Sequence, residues 1–299
     1  EIDLNEILNI LLLGKKIVLF SLFSLATFSV IYSLSLTNLY KSETIQSFNE
    51  ESANSSIPSN LGGFASLAGI NMPSQGENKT ALVVETIKSR EFLRHLISFE
   101  KILPSIMAPK EFNFETGTMI FDESSYDPDT DSWLQKSSLE NKKPSYLEAH
   151  KAYLDILSLD VDDKTGFIKI SIEHLSPIFA KEFLDLIVGE VNSLVRKRDL
   201  EESSKALLYL ESETAKTKLK DLKNSINKLA QAQLETQMLA RIKQEYILRS
   251  IEPPFIPELK SSPQRALICI TGAILGGLIG IFLVLFRHYF MNTSKKDST

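Results

Sequence analysis

The chain has 299 residues, 33 Lys and Arg against 38 Asp and Glu, and a formal net charge of −5. That balance offers no broad basic surface for nucleic acid. The single cysteine, Cys269, excludes an intrachain disulfide framework or a cysteine-built metal site, and the length allows one or two domains.

Residues 1–16 carry Glu1, Asp3 and Glu6 and end in Lys15-Lys16; they are expected to be a cytoplasmic segment. Residues 17–36 (IVLFSLFSLATFSVIYSLSL) are uncharged over about 20 positions, enough for a helix to cross a hydrocarbon core of about 30 Å. The run exceeds the roughly 7–15-residue core of a cleaved signal peptide and follows acidic residues, so a retained span is expected instead. The first residue is Glu, which leaves room for residues upstream.

Beyond this run, Tyr40–Phe48 alternates loosely, as a strand does. A segment rich in Ser, Asn, Gly and Pro follows; its Leu61, Phe64, Leu67 and Ile70 make it a docking loop rather than a free linker. Asn54-Ser55-Ser56 and Asn78-Lys79-Thr80 match the glycosylation pattern, which short chance matches also produce. Apolar residues at helical spacing from Thr80 to Leu103 predict one or two amphipathic helices ended by Pro104. Residues 109–144 show no clear pattern. Ser145 with Glu148 three positions on is a capping box that opens a helix to Leu157. LSLDVDDKTGFIKISIEH then alternates on both sides of a DDKTG turn, which predicts a hairpin. Asp160, Asp162 and Asp163 lack the ligand register of a calcium loop and are expected to be turn residues.

Residues 177–251 contain no proline and only Gly189, so a long helix is expected there, about 110 Å if continuous. Leu219, Leu222, Ile226 and Leu229 recur at 3-4-3 spacing for lateral packing, and the pattern lapses around Gln231–Gln237, where a break is expected.

The next segment, 253–263, holds Pro253, Pro254, Pro257 and Pro263; each lacks an N–H and none fits a regular helix interior. It leads into 266–286 (ALICITGAILGGLIGIFLVLF), a second expected span whose Leu, Ile, Phe and Val favour insertion by roughly 4–8 kcal/mol. Gly272, Gly276 and Gly280 recur every four residues with Gly277 beside them, a stripe suited to close helix packing, although glycine is also simply common in membrane helices. Residues 287–299 form a short tail. Two spans put both termini on one side. Lys15, Lys16, Arg287, Lys295 and Lys296 against Lys41, Lys260 and Arg265 place that side in the cytoplasm.

The sequence shows neither a phosphate-binding glycine loop nor HExxH nor GxSxG, and His95, His150, His174 and His288 are scattered. No catalytic, cofactor-binding or metal residue is expected.

The spacing of Pro254, Pro257, Ser262, Pro263, Gly276, Gly277 and Gly280 resembles the second-span signature of the Wzz-type polysaccharide co-polymerases, the chain-length determinants of bacterial surface polysaccharides. Segments such as EIDLNEIL, LGGFASLAGI, KSREFL and EYILRSIEPP are also similar to that family. Gln264 departs from its usual basic residue, and Leu278, Ile281 and Phe282 replace more typical Met, Ala and Gly; residues 111–143 match poorly. The resemblance implies an α+β membrane protein of the bacterial inner membrane. Two transmembrane helices would flank a periplasmic mixed α/β base, 37–265, with a long extended helix. It further implies a homo-oligomeric ring that sets the modal length of lipopolysaccharide O-antigen without enzymatic activity or cofactor. Its partners would be an O-antigen polymerase, the nascent lipid-linked polysaccharide and the membrane, with no nucleic acid. The rival readings are a capsule or exopolysaccharide co-polymerase with a separate kinase, and a periplasmic adaptor of a transport system.

Overall fold

A computed structural model describes residues 10, 12–48, 79–134, 143–162 and 164–296. Glu1, Asp3, Glu6, Asn54, the apolar residues from Leu61 to Ile70, Asn78 and Asp163 lie outside the described residues. By contacts the chain divides into Tyr40–Glu258 and a second unit made of Glu1–Leu39 with Leu259–Thr299.

The first unit is a mixed α/β fold. Its sheet runs β6 (Leu157–Val161), β7 (Ile168–His174), β1 (Tyr40–Phe48), β8 (Leu248–Glu252), with each neighbouring pair antiparallel. The β6–β7 turn forms as its sequence predicts: Asp162 Oδ1 accepts from the N–H groups of Lys164 and Thr165, and Gly166 takes φ 71°. Ser145 and Glu148 make the expected capping box at the start of α5 (Tyr146–Ile156).

Ahead of it lie α2 (Lys79–Lys88), α3 (Arg90–Leu96) and α4 (Ile102–Met107). Pro104 does not end the helical run as expected; it sits in the first turn of α4, where its missing N–H costs nothing. The unpatterned stretch after it contains two small hairpins, β2 (Pro109–Asn113) with β3 (Thr118–Phe121), and β4 (Tyr126–Asp127) with β5 (Ser132–Trp133). Burial and the hydrogen bond to Asp131 push the Tyr126 hydroxyl up to about 12, so it stays a neutral donor in this corner.

The core lies between the sheet and α6 (Pro177–Lys216). Phe179, Phe183, Ile187 and Val191 descend one face of α6 at four-residue steps and join Ile168, Ile170 and Ile172 of β7 in one cluster. Phe92, Leu93, Leu96 and Tyr153 complete it, and the Tyr153 hydroxyl donates to the Ile87 carbonyl. Each such large side chain withdrawn from water contributes on the order of 1.5–3 kcal/mol.

A continuous helix over 177–251 does not form. α6 ends at Lys216, Thr217 and Leu219 take extended geometry, and α7 (Lys220–Ile242) folds back along α6. The reversal is fixed by cross-pairs: Gln237 donates to Ser204, Arg196 to the Lys243 carbonyl, and Tyr246 to Asp199. The α6 arm is about 60 Å long and α7 about 35 Å on the 1.5 Å rise. Of the 3-4-3 leucine set, Ile226 and Leu229 are buried, whereas Leu219 at the turn is 70% exposed. The expected break at Gln231–Gln237 is helical, and the chain turns 12 residues earlier because packing, not periodicity, decides where an αα-hairpin reverses.

Asn192 closes the base of this hairpin. Its Oδ1 accepts from Ile247 and Leu248 N–H at 2.8 and 2.9 Å, and its Nδ2 donates to the Leu248 carbonyl at 3.1 Å. Asn192→Ala strands two N–H groups in a buried site. It is expected to cost about 2–4 kcal/mol, read by urea unfolding of the purified chain in detergent.

His174 ends β7 at 3% exposure. Its Nδ1 accepts from Ser176 N–H, so the proton resides on Nε2, which donates to the Ser105 carbonyl. Burial lowers its pKa from 6.5 to about 4. The unfolded chain therefore gains a proton first on acidification. The stability involved is intact above about pH 6.5 and falls by up to about 3 kcal/mol as pH drops toward 4. His174→Asn keeps an acceptor for Ser176 and should flatten the melting-temperature slope across that window.

Candidate functional site: the paired apolar helices and the proline segment

The second unit pairs α1 (Lys15–Ser35) with α8 (Arg265–Lys296). Both are long and apolar enough to cross a membrane, with mean hydropathies of 2.1 and 2.6 over the most apolar 18 residues of Lys15–Ser35 and Arg265–His288. The two helices run antiparallel: Ser21 on α1 lies against Gly276 and Gly280, while Ser29, two turns later, lies against Gly272 and Ile268.

Glycine sets the approach distance. A Cβ on Gly276 would lie 2.9 Å from both Leu22 Cα and the Ser21 carbonyl oxygen. One on Gly280 would lie 2.8 Å from Val18 Cα, and one on Gly272 would strike the Ser29 side chain. The backbone obstacles at Gly276 and Gly280 cannot rotate away, so these two positions hold the helices in contact, while Gly272 makes room for the Ser29 side chain. Gly277 differs from its companions, since its Cβ would come no nearer than 3.9 Å to Leu22 Cδ1. The sequence also gave no indication of Gly14, whose Cβ would collide with Val284.

The serines facing the glycines complete the seam. The Ser21 hydroxyl donates to the Gly276 carbonyl at 2.8 Å, and the Ser29 hydroxyl to the Ile268 carbonyl at 2.7 Å. In an apolar surrounding each such bond contributes about 0.6–2 kcal/mol. Ser21, Ser29 and Ser33 are the buried residues of α1, spaced one or two turns apart. That serine face is a signal the sequence held and the glycine stripe overshadowed.

The proline motif divides between the units. Ser262 and Pro263 belong with the helices. The Leu39 N–H donates to the Ser262 carbonyl, Ser261 N–H returns a bond to the Leu39 carbonyl, and Arg265 donates to the Asn38 side chain. Pro254 and Pro257 belong to the folded unit, following β8, with Pro257 buried. There the Thr44 and Ser42 hydroxyls donate to the carbonyls of Glu252 and Phe255. Pro253 and Pro254 carry no N–H, so backbone pairing stops at Glu252 and side chains continue it.

The histidines stay apart: His95 pairs with Glu190, His150 with the Lys88 carbonyl, and His174 is in the core. Among the described residues no group of three or more His, Cys, Asp or Glu is arranged to hold a metal ion.

Gly276→Leu should lower the melting temperature of the detergent-solubilised chain by several degrees, from about 1–3 kcal/mol of overpacking. Gly277→Ala is the control and should leave it nearly unchanged.

A solved structure of a full-length bacterial polysaccharide co-polymerase is similar to this chain at 13% identity, covering 97% of this chain and 99% of that one with a TM-score of 0.41. No curated protein matches it. Residues 1–99, which contain α1, β1, α2 and α3, match the family model described as Wzz, chain length determinant protein, the same family that the proline and glycine spacing resembles.

Proposed function

We propose that this chain is a bacterial inner-membrane polysaccharide co-polymerase that sets the modal length of lipopolysaccharide O-antigen without catalysing bond formation. The observation that carries the reading is the match of residues 1–99 to the chain length determinant family. Two apolar helices near the ends of the chain, paired antiparallel, support a protein that crosses the inner membrane twice. In this reading α1 and α8 are the spans, both termini are cytoplasmic, and residues 37–265 lie in the periplasm.

Length control then follows from assembly geometry. Copies of the α/β unit and its helical hairpin pack side by side in a homo-oligomeric ring, beside a separate O-antigen polymerase and the lipid-linked polymer. Pro254, Pro257, Ser262 and Pro263 couple the folded unit to the spans, and Gly272, Gly276, Gly277 and Gly280 hold the spans together.

The α6–α7 hairpin is a feature that a periplasmic transport adaptor would also have. The second apolar helix, paired with the first along its length, favours the co-polymerase. A capsule or exopolysaccharide co-polymerase acting with a separate kinase shares all these features and is separated by experiment. Deleting the gene in the source bacterium should abolish the modal band of the lipopolysaccharide ladder on a gel while total polymer persists. Complementation with the Gly276→Leu variant should restore the band poorly. An unaltered ladder with altered capsule would transfer the protein to the capsule class.

A further inference from the structure

The β2–β3 hairpin lies more than 60 residues beyond β1 in sequence, yet its tip returns to the start of that strand. Phe114, in the turn, is 62% exposed and packs edge-on against Tyr40 at 5.5 Å between ring centroids and against Phe112 at 4.9 Å. Tyr40 is the first residue of β1 and stands five positions beyond Ser35, the last residue of α1. An extended chain covers at most about 18 Å in that distance. The proline segment brings further apolar surface to the same end of β1: Ser42 holds the Phe255 carbonyl, and Phe255 and Ile256 are 44% and 51% exposed. Lys110 and Lys41 are close to these residues in sequence, as are Glu111 and Glu115, and Lys41 pairs with Glu43 at 3.7 Å. Exposed aromatic and branched side chains are enriched on protein surfaces at the headgroup level of a bilayer. Nothing in the core needs Phe114 to be large, and its ring rests on Tyr40 with most of its surface uncovered.

We propose that Phe114, Phe255 and Ile256 form an interfacial patch by which the folded unit rests on the lipid surface from which it emerges, a third membrane contact beyond the two spans. The patch rests on the reading of α1 and α8 as spans. The lipid is the occupant because the polypeptide enters it within a few residues of Tyr40.

The test uses the full chain in lipid nanodiscs containing phosphatidylcholine brominated near the headgroup end of the acyl chain. In a Trp133→Phe background, single tryptophan probes are placed by Phe114→Trp, by Tyr32→Trp inside α1, and by Leu208→Trp on the exposed side of α6. Brominated lipid is expected to quench the probes at 114 and 32 and to leave the probe at 208 unchanged. Quenching at 32 with none at 114 overturns the patch and leaves the spans standing. Shielding of the 114 probe from aqueous iodide without quenching by brominated lipid also overturns it, since a protein surface would then cover the tip. No quenching at 32 overturns both readings.

Discussion

β1 is the strand on which the rest of the structure depends. It follows the first apolar helix after four residues, lies between β7 and β8, and presents Ser42, Thr44 and Gln46 to the interior with no exposed surface. An inward polar stripe on a central strand is costly where a group lacks a partner, as Gln46 Oε1 does among the described residues. Here it serves a purpose that Val or Ile could not. The chain returning to the second apolar helix passes through Pro253 and Pro254, which supply no donors, and the Thr44 and Ser42 hydroxyls take up the carbonyls left at Glu252 and Phe255. The outgoing and returning segments are thus antiparallel neighbours in the sheet. They are neighbours again at Leu39 and Ser262, and a third time as α1 and α8.

Two antiparallel apolar helices joined to adjacent strands have little freedom in how far apart they lie. The seam between them answers this with small residues, three glycines on α8 against serines on α1. In the proposed membrane setting hydrophobic burial would contribute little between the helices, so dispersion across a close contact and hydroxyl-to-carbonyl bonds would carry the association. Both are steep in distance, and an added methyl at Gly276 or Gly280 acts on backbone atoms that have nowhere to move. In the proposed reading the proline segment and the glycine stripe act on one constraint, the spacing of the outgoing and returning chain.

Much of this was legible in the sequence because its signals are local. The capping box at Ser145, the Asp162–Gly166 turn, the bounds of β1 and the two apolar runs each depend on side chains within a few residues of the feature. What escaped depends on tertiary contacts. The reversal at Thr217–Leu219 contains neither glycine nor proline, and the helical pattern runs through it without a gap. It exists because Ser203 and Leu210 of α6, and Ile226, Leu229 and Ala240 of α7, are buried in the hairpin. The small hairpins of 109–133 were equally hidden, since β4 and β5 have two residues each and are held by an aromatic cluster of Phe121, Tyr126 and Trp133. In the glycine stripe the spacing identified Gly272, Gly276 and Gly280 but gave no means of setting Gly277 apart.

The hairpin also changes what lateral association must satisfy. A single helix with one apolar stripe needs one partner, and α7 has its partner in α6. Yet α7 carries a second apolar row, Leu234, Met238 and Ile242, at four-residue steps and exposed by more than half. This row faces away from the residues that meet α6. Leu208 on α6 is likewise exposed, while Arg196, Lys197 and Lys205 follow the same arm. A monomer with both arms in water leaves these side chains unsatisfied along the length of the hairpin. Side-by-side packing of copies, as proposed for the ring, covers such rows without requiring any change within the hairpin. In that proposal the length of the arm would set how much surface each neighbour buries, and through it how firmly the ring would hold its geometry.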